Sequence, residues 1–159
     1  MDRIGRGIAA GFLGGLGATL IMSAVMLAAR RAGVTPRLPP DKIAEAGIEQ
    51  VKDGPSDEDE ETAVATVSHF AFGAGAGALY GGLTARAAPL PLPVALAAGL
   101  AFGSAVWLVS YQGWVPALGI MPPASRDHPG RVATMVVAHW VFGAALGAST
   151  RQLRHGVLD

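Results

Sequence analysis

Two histidines stand at corresponding places in two similar apolar runs of the chain. His69 precedes the run FAFGAGAGA and His139 precedes the run WVFGAALGA, so that six of ten positions match when the histidines are included. A neutral imidazole can bind a metal ion or a haem iron, relay protons, or hydrogen-bond a neighbouring helix. The two residues therefore leave three roles open: shared ligation of a metal or a b-type haem, a proton relay, and structural hydrogen bonding.

Tyr80 joins the first histidine on one helical stripe. The residues that share one helix face with His69 by their spacing are Phe72, Gly73, Gly77 and Tyr80. Ionisable groups inside a membrane are costly and are functional candidates, so the candidate intramembrane polar site consists of His69, His139 and Tyr80.

Other chemistry is poorly represented in the sequence. The chain has no cysteine, which excludes disulfides and thiolate metal sites, and no carboxylate lies in either run to complete a metal shell. The sequence contains no catalytic triad, zinc motif, phosphate-binding loop or dinucleotide fingerprint. We therefore expect no enzyme and no catalytic residue, and no cofactor other than the haem or metal alternatives.

Four apolar segments must position the histidines. The 159-residue chain is 51% hydrophobic and only 15% charged, and its mean hydropathy is +0.40. A helix needs about 20 apolar residues to cross a bilayer, and segments 8–29, 63–83, 92–111 and 132–148 approach that length. The sequence predicts one membrane domain over residues 1–159, an all-α integral membrane four-helix bundle with the lipid bilayer as its partner. The net charge of zero gives no case for nucleic acid.

The segments between the predicted helices differ in character. Residues 30–62 form a polar, acidic loop, in which Ile43, Gly47, Ile48 and Val51 predict a short helix on the membrane surface. The proline-rich link around residues 89–93 predicts that the second and third helices are antiparallel neighbours. Asp127 or His128, just before Pro129, marks the start of the last helix, and Tyr111 and the tryptophans are expected at the membrane interface or in helix packing.

The match between the two histidine runs extends to the helices before them. Ala9-Ala10-Gly11 with Gly15 resembles Ala97-Ala98-Gly99 with Gly103. Each repeat unit is thus a hairpin of two helices. Because each hairpin contains an even number of crossings, the bundle is predicted to consist of two parallel-repeat two-helix hairpins, related by an axis along the membrane normal.

Glycines recur four residues apart in every predicted helix. This spacing lets helix backbones approach closely in lipid. Such faces serve packing within the bundle or association of copies, and we expect a homo-oligomer that forms through them. The helix-packing glycines are Gly7, Gly11, Gly15, Gly73, Gly77, Gly81, Gly99, Gly103, Gly143 and Gly147.

The order of these short motifs resembles the YagU-type bacterial inner-membrane proteins. The motifs are GFLGG at 11–15 with LPP at 38–40, His69-x-x-Phe72 before Tyr80-Gly81, GLA at 99–101 before LGIMPP at 118–123, and His139-Trp140 before Arg151 and Arg154. The resemblance covers all four helices but departs in a shorter loop after the third helix and in the acidic run. It implies a bacterial inner (cytoplasmic) membrane location and a link to acid tolerance, and it brings no catalytic residues.

Basic residues lie on both sides of the predicted membrane, and the basic N-terminal segment and C-terminal tail favour both termini inside (N-in, C-in).

The sequence leaves three functional hypotheses. The first is an inner-membrane structural, interaction or stress-related protein. The second is a small proton or solute conduit that uses His69 and His139, and the third is a bis-histidine haem or metal-binding membrane protein.

Overall fold

The computed structural model describes residues 2–35, 38–49, 58–87 and 90–156, and within these ranges the fold is all-α without strands. The α-helices are α1 (Arg3–Arg31), α2 (Pro39–Glu49), α3 (Glu58–Thr84), α4 (Leu92–Trp107), α5 (Val115–Ala117) and α6 (Pro129–Gly156). A π-helical segment, Leu108–Trp114, joins α4 to α5, and a 3-10 turn, Ala124–Arg126, precedes α6. The predicted all-α four-helix bundle is confirmed.

Four helices are long and apolar enough to cross a membrane: α1, α3, the continuous run from α4 through α5, and α6. Large apolar side chains such as Val67 (71% exposed) and Leu83 (70%) point outward, whereas glycines make the closest contacts between helices. A water-soluble protein has the opposite pattern, so the chain is a multi-pass membrane protein. With four crossings the termini share one side, here named the terminal side; the other is the opposite side.

The spanning helices exceed their predicted ends because polar groups extend them. Asp2 caps α1 by accepting a hydrogen bond from the Gly5 amide (2.7 Å), so this helix begins at Arg3 and not at residue 8. His128 caps α6: its Nδ1 accepts from the Gly130 amide (3.2 Å), and its carbonyl accepts from Arg131 and Val132. The last helix therefore begins directly after His128, which is one of the two residues predicted to mark its start.

The C-terminal end of α6 also extends beyond the predicted residue 148. Arg154 donates to the carbonyls of Thr84, Ala85 and Ala87, and Arg151 donates to the carbonyl of Leu90. These carbonyls lie where α3 ends and α4 begins, where helical partners are missing. The two guanidinium groups therefore hold the last turns of α6 against the connection between α3 and α4.

The predicted surface helix is α2. It buries Ala44 and Ile48 and packs on α3, and Asp41 forms an ion pair with Arg30 at 3.6 Å. Gly47 is exposed, and Val51, which was predicted to belong to the same helix, lies outside the described residues. Residues 30–62 are thus not simply a loop, since a helix occupies their centre.

The closely packed helix pairs are α1 with α3, α4 with α6, and α1 with α6. The predicted neighbours α3 and α4 touch through the rings of Tyr80 and Phe102 (5.2 Å between centroids), but they are not one of the closely packed pairs. The glycine faces explain this difference, because α3 uses its glycines against α1 and α4 uses its glycines against α6. Each predicted hairpin is therefore a glycine-packed pair.

All ten predicted packing glycines lie in these intramolecular contacts. A Cβ on any of them would overlap an atom of the facing helix, most often a carbonyl oxygen. Such close approach increases dispersion contacts between the backbones. Homo-oligomer formation stays a prediction, and it would have to use a surface other than these faces.

The predicted alignment of α1 with α4 is wrong by one helical turn. In the first pair a Cβ on Gly15 would meet the carbonyl of Gly73, and in the second a Cβ on Gly99 would meet the carbonyl of Gly143. Gly143 repeats Gly73, so Gly99 takes the place of Gly15 and not of Gly11. Sequence matching cannot fix this register, because alanine and glycine recur at several similar spacings in both helices.

Candidate functional site

A cavity of about 190 Å³ lies where the glycine contacts end, toward the opposite side of the bundle. The last close contacts there are those of Gly73 with Thr19 and of Gly103 with the His139 carbonyl. Beyond them larger side chains hold the helices apart. We call this space the histidine cavity, since both His69 and His139 line it. The other lining residues are Thr19, Met22, Met26, Pro39, Pro40, Ile43, Ser68, Phe72, Gly73, Val106, Ser110, Tyr111, Trp114, Val115, Met135 and Phe142.

His139 is held in a defined orientation on α6. Its side chain is 8% exposed, and Nδ1 lies 2.7 Å from the carbonyl oxygen of Met135, one turn earlier. A carbonyl oxygen can only accept, so Nδ1 carries the proton and Nε2 carries the lone pair. His139 therefore provides one nitrogen that can accept a hydrogen bond or bind a metal.

His69 brings a second imidazole to the same cavity from α3. Its Nε2 is buried and has no hydrogen-bond partner among the described residues. A buried polar atom without a partner is costly, and in native proteins it calls for an explanation such as a bound molecule. Because His69 lines the cavity, its unpartnered Nε2 makes this cavity the strongest candidate for a binding site.

The structure separates Tyr80, the third predicted site residue, from the histidines. Tyr80 lies eleven residues beyond His69, about 16 Å along a helix. It lines a cavity of about 20 Å³ near the terminal side, together with Thr84, Arg151 and Arg154. The predicted polar site therefore divides into the histidine cavity and a separate small space beside the connection between α3 and α4.

Two elements that close the cavity were missed or only partly predicted. Pro39, Pro40 and Ile43 of α2 cover one part of it. The π-helical segment directs Ser110, Tyr111 and Trp114 into the wall. Pro116 follows this segment and has no amide proton for an i−4 hydrogen bond, and the Val115 amide instead bonds to Ser110, five residues earlier.

A buried polar network at the cavity wall was also missed. The Tyr111 hydroxyl donates a short hydrogen bond to Asp127, and Arg131 donates to the other carboxylate oxygen at 2.7 Å. The side chains of Asp127 and Arg131 are 3% and 10% exposed. Tyr111 also stacks on Trp107 at 5.9 Å between ring centroids, so the predicted packing role of these aromatics is only part of what Tyr111 does.

The donors available in the cavity decide what it can hold. Among the described residues, no charged side chain belongs to its lining, and no three histidines, cysteines or carboxylates come together. Its polar groups are two imidazoles and a few hydroxyls, set among methionine and aromatic side chains. The cavity is therefore suited to a neutral or weakly charged ligand with one or two polar contacts.

Comparison with known proteins places the chain in one family. A family model described as "Family of unknown function (DUF6789)" matches residues 5–156, a range that covers the four spanning helices except for the first two residues of α1. No curated protein and no solved structure matches the chain. The match covers nearly the whole chain, and we conclude that this protein belongs to the DUF6789 family.

Proposed function

We propose that this is a membrane-embedded binding protein whose small ligand occupies the histidine cavity and contacts its imidazoles. The observation that carries the proposal is the pair of histidines from equivalent positions of the two hairpins in the wall of one cavity, with Nε2 of His69 unpartnered. Most buried imidazoles that serve only helix packing are hydrogen-bonded by the protein itself. A ligand would supply the partner that His69 lacks.

The size and lining of the cavity support a compact ligand. An apolar cavity of 150 Å³ can take up a benzene-sized molecule, and the histidine cavity measures about 190 Å³. Phe72 is 48% exposed at its rim, which supports entry from the lipid phase. The proposal therefore favours a lipid-soluble molecule of one ring, or a metal ion with its protein ligands.

A transmembrane conduit receives less support from the same geometry. Polar side chains continue from the cavity toward the opposite side through Tyr111 and Asp127. Toward the terminal side, the paired helices meet through glycine and alanine, as at Gly11 with Gly77 and Gly147 with Ala95. Such contacts leave no room for a chain of water molecules, so we favour binding over conduction.

We also propose that the membrane is the bacterial cytoplasmic membrane, with both termini inside. The resemblance to YagU-type proteins supports this location, and the basic residues near both termini support the orientation. The same resemblance motivates a contribution to acid tolerance. Deletion of the gene should then lower survival at low pH, and a cavity variant such as His69→Leu should fail to restore it.

Quenching of tryptophan fluorescence by 4-bromophenol tests the binding proposal. Trp114 lines the cavity and becomes the single reporter once Trp107→Phe and Trp140→Phe are introduced. The hydroxyl of the probe can hydrogen-bond Nε2 of His69. One such bond contributes about 0.5–1.5 kcal/mol, so 4-bromophenol should bind about two- to tenfold more tightly than 4-bromotoluene.

Two variants distinguish cavity binding from partition into detergent. His69→Leu should remove the preference for the phenol, whereas His128→Asn, outside the cavity and still able to cap α6, should keep it. Ser110→Phe should fill the cavity and abolish saturable quenching. Equal, unsaturable quenching in the parent and in Ser110→Phe would refute the proposal.

A further inference from the structure

We propose that the ligand of the histidine cavity is a soft monovalent metal ion, Cu(I), held by the two imidazoles and by methionine thioethers. This inference rests on the proposed binding function and names the class of ligand. Three of the chain's five methionines, Met22, Met26 and Met135, line the same cavity as His69 and His139. Thioether sulfur and imidazole nitrogen together form a donor set that selects Cu(I).

The methionines and histidines share helix faces. Met22 and Met26 are one turn apart on α1, and Met135 is one turn before His139 on α6, so each pair projects to the same side of its helix. All three methionines are at most 5% exposed. Helices α1 and α6 thus present thioethers to the histidine cavity, and α3 and α6 present imidazoles to it.

The charge of the site favours a monovalent ion. Every described lining side chain is uncharged, and the carboxylate that accepts from the wall residue Tyr111, that of Asp127, is already bound to Tyr111 and Arg131. The cost of transferring an ion into an apolar medium rises with the square of its charge, and no anionic ligand offsets it here. Zn²⁺ and other divalent ions commonly have thiolate or carboxylate ligands or a third histidine, and none of these is found among the described lining residues.

The hydrogen bond from His139 to the Met135 carbonyl is the arrangement expected for a metal ligand. Histidines that bind metals commonly donate their second ring N–H to a carbonyl or carboxylate, which fixes the ring and its tautomer. Here Nδ1 makes that bond at 2.7 Å and Nε2 is left for the metal. The unpartnered Nε2 of His69 supplies the second nitrogen.

Transfer of Cu(I) from its bicinchoninate complex tests the proposal on the full-length protein in detergent under anaerobic conditions. Loss of the colour of the complex reports uptake, and we expect about one Cu(I) per chain. His69→Ala with His139→Ala should weaken binding by about 100-fold or more, and Met22→Leu with Met26→Leu by about tenfold. X-ray absorption of the loaded protein should show both nitrogen and sulfur neighbours.

Met121→Leu is the matched control, because Met121 is buried in the core but does not line the cavity. Leucine replaces methionine with little loss of stability, so the methionine variants stay informative even if the histidine variant fails to fold. Uptake that is unchanged in Met22→Leu/Met26→Leu, or equally lost in Met121→Leu, would overturn the proposal, as would a haem Soret band in the purified protein. If 4-bromophenol still binds saturably while Cu(I) is not taken up, the metal assignment fails and the binding function stands; if neither binds, both fail.

Discussion

Gly11 of α1 lies directly against Gly77 of α3, and a Cβ on either residue would overlap the carbonyl oxygen of the other. This contact is one of a series that joins α1 to α3 from the terminal side to the level of the histidines, and a matching series joins α4 to α6. Where the series ends, the helices separate and the histidine cavity begins. The glycines therefore determine the position of the cavity as well as the stability of the pairs.

Gly77→Ala should destabilise the protein strongly. The obstacle to the new methyl group is backbone of α1, which cannot move aside as a flexible side chain can. Overpacking of a core costs about 1–3 kcal/mol, and a backbone obstacle places this variant at the upper end. The midpoint of thermal unfolding, followed by circular dichroism in detergent, should fall.

Gly75→Ala is the control, because Gly75 lies on the same helix with open space around its Cβ position. Alanine is favoured over glycine in helices by about 1 kcal/mol, so this variant should unfold at the same temperature or higher. Equal destabilisation by the two substitutions would contradict the proposed pairing of α1 with α3.

Asp127→Asn should also destabilise the protein. The carboxylate accepts from the Tyr111 hydroxyl, from Arg131 at 2.7 Å and from the His128 amide at 2.6 Å. Removing one charge of a buried pair leaves the other uncompensated, at a cost of about 3–5 kcal/mol. Urea unfolding in mixed micelles should therefore shift to lower denaturant concentrations.

Asp41→Asn makes the same chemical change in an exposed ion pair. Asp41 lies 3.6 Å from Arg30, whose side chain is 53% exposed. Surface pairs contribute about 0–1 kcal/mol, so this variant should unfold almost as the parent does. A loss at Asp127 no larger than that at Asp41 would mean that the buried network does not stabilise the loop before α6.

The sequence allowed the histidines and glycines to be predicted because their spacing repeats. A helix of period 3.6 places His69 and Gly73 on one face, and the matching run does the same for His139 and Gly143. The use of these faces for contacts within the chain required the structure, because the sequence also allowed copies of the chain to associate through them. The sequence could not predict that both histidines line one cavity, because this depends on how the two hairpins pack against each other.

The network of Tyr111, Asp127 and Arg131 illustrates what could not be predicted. Asp127 and Arg131 are four residues apart, but Asp127 lies before α6 begins, so the rule for ion pairs on a helix does not predict their contact. Tyr111 is sixteen residues away from Asp127, and the intervening loop decides whether they meet. The π-helical turn that directs Tyr111 inward likewise depends on the local effect of Pro116 and not on hydrophobic period.

Labelling of single cysteines should establish the orientation, because the natural chain contains no cysteine. Ala87 lies in the connection between α3 and α4 on the terminal side, and Ser125 lies in the loop before α6 on the opposite side; both are exposed. Five arginines, Arg3, Arg6, Arg86, Arg151 and Arg154, lie near the terminal side. Since arginine-rich termini favour the cytoplasm, a membrane-impermeant maleimide should label Ser125→Cys on intact spheroplasts.

Ala87→Cys should react only after the membrane is opened. The pair forms its own control, because both positions lie in short connections and each variant carries one thiol. The reverse pattern would contradict the inward orientation of the termini but leave the four crossings intact. Labelling of both positions on sealed spheroplasts would contradict the crossings themselves, because α4 through α5 separates Ala87 from Ser125 and must then fail to span the bilayer.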